Sequence, residues 1–257
     1  MTDFSIEPLT EGAVFRIERP AKLNALTRAV MNGLSDCIAT LEASRARLLV
    51  ITSAGERAFC AGTDLGELKG LTLEERRAKS DASRDLLVRL HRSPLLSVAA
   101  INGLAFGGGL ELAMACSLRI TAAHATMSLP EIKLGLVPAY AGTQLLPALV
   151  GKARALDLML TGRAIDAREA HAIGLVHRIA SAEGPLIDQA LAFAREITRW
   201  SPGAIRAIRT CVDAAGEHLS DEGLAIEKHE VNANYGSADA QEGMAAFLEK
   251  RAANFSR

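Results

Sequence analysis

Two apolar runs, "RLLVITS" (47–53) and "PLLSVAAING" (94–103), constrain the fold most. Each has the length of a strand. Each is apolar at successive residues rather than alternate ones, so both faces need cover. This predicts two buried strands. "LRITAAH" (118–124) adds a third, and "FSIEPLTEGAVFRIER" (4–19) alternates around Gly12 like a strand pair. Residues 27–44, with Thr27 as N-cap, and 72–92 have helical spacing. Strands alternating with helices predict an α/β arrangement around a core sheet. Beyond about residue 140 the strand patterns nearly vanish, "GLVHRIA" (174–180) excepted. Helices are expected at 151–161, 166–172, 185–199, 201–213, 220–235 and 237–250. The expected division is an α/β core over 1–200 and a helical region over 201–257.

Composition narrows the function. Aromatics make up 4% of a chain that is 49% hydrophobic, so Ala, Leu, Val and Ile must fill the core. Basic and acidic residues balance, 29 against 30, which gives no electrostatic footprint for nucleic acid or an anionic membrane. No apolar run reaches the ~18 residues of a membrane span. Cys37, Cys60, Cys116 and Cys211 stand apart, and "MTDFSIEP" lacks the features of a signal peptide, so a cytoplasmic location is expected. His91, His124, His171, His177, His218 and His229 lack partners at metal-site spacing, and no metal is expected.

"AFGGGLELAMA" (105–115) joins a strand to a helix through three glycines. Glycine lets the backbone turn tightly and approach a ligand, and the first N–H groups of a helix can donate outward. The P-loop needs Lys and Ser/Thr after its glycines, and the dinucleotide fingerprint needs G-x-G-x-x-G; neither is here. Glu111 would also repel a phosphate. The amides therefore suit a carbonyl oxygen that gains negative charge. On this stretch alone, close helix–strand packing, with Glu111 complementing the helix N-terminus, is an equally physical account. "AFCAGTDLGEL" (58–68) supplies a second glycine-rich turn, and "MSLPEIKLGLVPAYAGT" (127–143) places Glu131 behind Pro130.

Together these segments resemble the crotonase, or enoyl-CoA hydratase/isomerase, superfamily. "ERPAKLNALT" (18–27), "AFCAGTDL" (58–65), "INGLAFGGGLELAMACSLRI" (101–120), "SLPEIKLGLVPAYAGTQLL" (128–146), "LTGRAIDAREAHAIGLVHRI" (160–179) and "EGMAAFLEKRAANF" (242–255) match its successive blocks in order. The resemblance implies an α/β fold, a crotonase-like spiral of ββα turns with a helical C-terminal region that serves trimerisation. It implies an acyl-CoA substrate, no separate cofactor, and assembly as a homotrimer or dimer of trimers.

The resemblance also implies roles. The backbone amides of Thr63 and Gly108 would hold the thioester oxygen, and a Cβ at Gly108 would crowd the substrate. Glu111 and Glu131 align with the two catalytic glutamates of the hydratases, as adding water across a 2-enoyl thioester needs a base and an acid. Ala61, Asp64, Leu65 and Gly66 would line the CoA path, with Asp64 also capping its turn. Ala21 and Lys22 match a block that often touches CoA, Phe247 and Lys250 lie in the C-terminal helix that in family trimers reaches toward a neighbour's CoA, and Ala139 occupies the position whose N–H helps hold water. Relatives that isomerise, or that hydrate branched acyl groups, are the alternative; an AU-rich RNA-binding branch needs a basic helix that 27–47 does not supply. The sequence departs from the usual pattern at Ala139-Tyr140-Ala141, at Leu145-Leu146, and at Gly66, where a lysine is common.

Overall fold

The structure is a computed structural model that describes residues 2–215 and 220–255; His218 lies outside them. The N-terminal pair forms as expected. β1 (Phe4–Leu9) and β2 (Gly12–Ile17) run antiparallel, and β2 buries Val14, Phe15 and Ile17. α1 (Arg28–Ala43) starts at Thr27, whose hydroxyl accepts the Val30 N–H. Such a cap stabilises by about 1 kcal/mol.

A repeating unit follows. β3 (Leu48–Ser53), buried throughout, bends into the short β4 (Ala58–Cys60), and α2 (Leu73–Arg92) returns the chain. β5 (Leu96–Ile101), also buried throughout, bends into β6 (Leu104–Phe106), followed by α3 (Gly108–Ala115). β7 (Leu118–Thr121) bends into β8 (Thr126–Ser128), followed by a tight turn and α4 (Gly142–Val150). Then come α5 (Lys152–Thr161), β9 (Ile165–Asp166), α6 (Ala167–Ala172), β10 (Arg178–Ile179) and α7 (Leu186–Thr198). The last elements are α8 (Pro202–Asp213), α9 (Asp221–Tyr235) and α10 (Ala238–Leu248). No described helix is long and apolar enough to cross a membrane.

Each unit gives its long strand to one sheet and its short strand to another. The six-stranded sheet has the order β1-β2-β3-β5-β7-β10, parallel from β2 onward; the four-stranded sheet has the order β4-β6-β8-β9, with β4, β6 and β8 parallel. The C-terminal ends of the three short strands therefore share one edge. The turns that leave it begin at Ala61, Gly107 and Leu129. This second sheet, and α4, are additions to the single core sheet expected from sequence.

The expected strand at 174–180 pairs only over Arg178–Ile179. Gly174 has φ +82°, and the Leu175 and Val176 N–H groups both donate to Ala170 O, so this stretch is a turn. The chain forms two compact units, one ending at Ala192 and one beginning at Phe193. The division lies within α7, ahead of residue 200.

Arg119 closes the C-terminal end of α3. It is buried, and its guanidinium donates to Cys116 O and Leu175 O, both at 2.7 Å, and to Met114 O at 3.4 Å. Burial lowers its pKa to about 10, so it stays charged at neutral pH. Arg119→Met leaves these carbonyls without a donor. We expect a loss of about 3 kcal/mol, several degrees of thermal midpoint. A melt within one degree of wild type would show that the guanidinium does not hold this helix end.

Candidate active site

The glycine triplet has three separate jobs. Gly107 takes φ 52° and ψ −129°, a conformation open to glycine, and a Cβ there would sit 2.9 Å from Glu131 Oε1. Gly109 lies against β4: its Cβ would fall 2.2 Å from Cys60 O. Gly108 faces the Tyr140 ring, whose Cε2 would be 2.9 Å from an added Cβ. Among the described residues, the group that a side chain at Gly108 first meets is thus Tyr140.

The two glycine turns are neighbours. A Cβ on Gly62, which has φ +100°, would lie 3.0 Å from Phe106 O and 3.3 Å from Gly108 N. Thr63 is held by a bridge to Leu26, formed by Leu26 N–H to Gly62 O (2.8 Å) and Asp64 N–H to Leu26 O (3.0 Å). The Thr63 and Gly108 N–H groups have no acceptor among the described residues. Gly108 is the first residue of α3, where an unpaired donor is inherent to the helix.

Two carboxylates stand beside these amides. Glu111 lies one helical turn into α3 and is 1% exposed. Its Oε1 accepts the N–H groups of Tyr140 (2.7 Å) and Gly142 (2.8 Å). Gly142 must be glycine for this, since its Cβ would fall 2.7 Å from that oxygen. Burial pushes the Glu111 carboxyl up to about 7, against the pull of these N–H groups, and the Glu131 charge adds to the rise. Glu131 opens the tight turn Glu131–Leu134 after β8. Its Oε2 is buried without a partner among the described residues, and burial raises its pKa. A carboxyl in that setting favours its protonated form.

Tyr140 joins these parts. It is buried, its backbone holds Glu111, its ring covers Gly108, and its hydroxyl lies 2.7 Å from Thr63 Oγ1. The sequence marked it only as part of a departure from the family's usual pattern, Ala139-Tyr140-Ala141. Ala139 itself is exposed.

The remaining expected residues are less concentrated. Asp64 accepts the Gly66 N–H at 2.9 Å and pairs with Arg19 at 2.9 Å, which holds its carboxyl below the usual range despite partial burial. Leu65 and Gly66 are exposed on the same turn, and Ala61 is half-buried. Ala21 and Lys22 lie exposed in the turn Pro20–Lys22. Phe247 belongs to α10 and is exposed, and Lys250 follows that helix at φ 54°; both are in the second unit. Cys60 is buried, and its thiol is pushed up to about 12.

Residues 11–257 match the family model described as enoyl-CoA hydratase/isomerase. The chain belongs to the enoyl-CoA hydratase/isomerase family. Among its relatives, a probable enoyl-CoA hydratase (echA8) of Mycobacterium bovis is 38% identical over 242 residues, covering 94% of this chain and 93% of that protein. A crotonyl-CoA hydratase of Syntrophomonas wolfei is 35% identical over 244 residues, covering 95% and 94%. The crystal structure of an enoyl-CoA hydratase from Bacillus anthracis superposes with a TM-score of 0.92 at 33% identity, over 98% of each chain. The solved structure of Pseudomonas aeruginosa DspI gives 0.92 at 34% identity, over 100% of this chain and 97% of the other. The ββα units described above are thus the spiral of the crotonase fold, with Thr63, Gly108 with Glu111, and Glu131 on three successive coils.

Proposed function

We propose that the protein is an enoyl-CoA hydratase that adds water across the 2,3 double bond of a 2-enoyl-CoA thioester. The observation that carries this is the pairing of two carboxyls, the buried Glu111 and Glu131 with its buried Oε2, with two unpaired amides, Thr63 and Gly108, on one edge of the small sheet.

The chemistry balances without a redox partner. A water O–H bond breaks and its proton passes to the Glu111 carboxylate. The oxygen bonds to C3, and the double-bond electrons move toward the thioester oxygen. The Thr63 and Gly108 amides hold that oxygen as it gains charge. Glu131, protonated, donates to C2. Glu111 suits the base because two N–H groups stabilise its charged form, and Glu131 suits the acid because its free oxygen has none.

Rapid loss of crotonyl-CoA absorbance at the enoyl-thioester band tests the reading. A folded, CoA-binding protein that leaves crotonyl-CoA unchanged but converts a 3-enoyl-CoA would replace it with isomerisation. Ala21, Lys22, Ala61, Leu65, Gly66, Phe247 and Lys250 as CoA contacts, the trimeric or hexameric assembly, and a cytoplasmic location belong to the same proposal. Light scattering tests the assembly.

Because the base must be ionised, kcat/KM is expected to fall as the pH drops through about 7, where Glu111 takes up its proton. A profile flat from pH 5 to 9 would contradict the assignment.

A further inference from the structure

We propose that the Tyr140 and Thr63 hydroxyls form a side-chain donor that gives the thioester oxygen a third hydrogen bond, beside the amides of Thr63 and Gly108. The inference rests on the oxyanion reading above and adds to it a role for Tyr140.

The two oxygens are 2.7 Å apart, although their residues come from different coils of the spiral. Each hydroxyl has one proton to give. Their mutual bond uses one of the two. Neither hydroxyl has another partner among the described residues. Whichever oxygen donates within the pair, one O–H proton is left over. In this setting a free hydroxyl proton is a donor in search of an acceptor, since burying an unused one is unfavourable.

The position of the pair selects the acceptor. Thr63 carries both its hydroxyl and one of the two unpaired amides. The Tyr140 ring edge lies over Gly108, the residue that carries the other. Tyr140 therefore touches both residues that carry these amides, its hydroxyl at the Thr63 side chain and its ring edge at Gly108. The acceptor expected between those amides is the thioester oxygen, and it is a better acceptor in the transition state than in the substrate. A donor at this rim acts most strongly when that charge develops, and so belongs in kcat rather than in KM. The same tyrosine holds Glu111 through its backbone, which fixes the distance between oxyanion and base without involving the hydroxyl.

The test separates the donor from a simple latch. Crotonyl-CoA labelled with 13C at the thioester carbon is bound to Glu131→Gln protein, so that turnover is slow, and the carbonyl stretch is read by difference infrared spectroscopy. The stretch is compared in Glu131→Gln alone and with Tyr140→Phe, Thr63→Val or Thr63→Ser added. In parallel, kcat and KM are measured for the same three substitutions in otherwise wild-type protein. We expect the bound stretch to lie below its value in water. Tyr140→Phe and Thr63→Val should each return part of that shift, and Thr63→Ser should keep it. kcat should fall by on the order of 10-fold or more for the first two, with KM within a few-fold.

If kcat falls but the carbonyl stretch does not move, the pair is only a latch between turns and the proposal is overturned. The proposal is also overturned if neither quantity changes. If Glu131→Gln protein binds crotonyl-CoA with no downshift at all, the oxyanion reading itself fails, which is a distinguishable result. Tyr140→Phe and Thr63→Val act on different coils, so loss of folding in one leaves the other as the test.

Discussion

Glu111→Gln and Glu131→Gln are each expected to cut kcat on crotonyl-CoA by about 10²- to 10⁴-fold, with KM changed little. The amide is nearly the same size as the carboxyl, so the turns that hold it should persist. In Glu111→Gln the side-chain oxygen still accepts the Tyr140 and Gly142 N–H groups, but the group can no longer take a proton from water. The fall in activity near pH 7 should vanish with it. In Glu131→Gln the buried Oε2 gives way to a group that cannot deliver a proton to C2. The double variant should be little worse than either single one, since acid and base act in one step. Full activity in either variant, from folded protein, would remove that residue from the mechanism.

Gly109→Ala should give the largest loss of stability. Every residue of α3 is buried, and the added Cβ would fall 2.2 Å from Cys60 O and 2.7 Å from Cys60 C. The obstacle is backbone on β4, whose own residues are all buried, so neither side can yield cheaply. We expect a loss above roughly 4 kcal/mol, seen as a poor yield of soluble protein or a large drop in denaturant midpoint. Gly135→Ala is the control. Nothing lies within 4 Å of its Cβ, and only its φ of +67° resists, at about 1 kcal/mol. Equal midpoints for the two variants would mean that α3 can back away from β4.

The long elements were legible because their patterns run over many residues. The two apolar runs became β3 and β5, and Thr27 capped α1 where a threonine before an amphipathic segment should. The short strands β4, β6 and β8 have three residues each, too few to display a period of two. The small sheet exists because parallel coils stack, a long-range fact. α4 was hidden by Pro147 in its interior, which reads locally as a helix breaker. Glu111, Glu131, Thr63 and Gly108 were singled out as candidates through motifs and the family resemblance they carry. The contact between Tyr140 and Thr63 joins residues 77 positions apart, and no local pattern marks it.

The stacking of coils bears on how the molecule acquires its activity. Thr63, Gly108 and Glu131 each follow a short strand that has no sheet of its own until its neighbours arrive. Parallel pairing of segments this distant in the chain has high contact order and forms late. A half-wound chain would contain every candidate residue and yet not hold them side by side. Recovered turnover during refolding would then report the docking of the final coil, well after helical signal has returned.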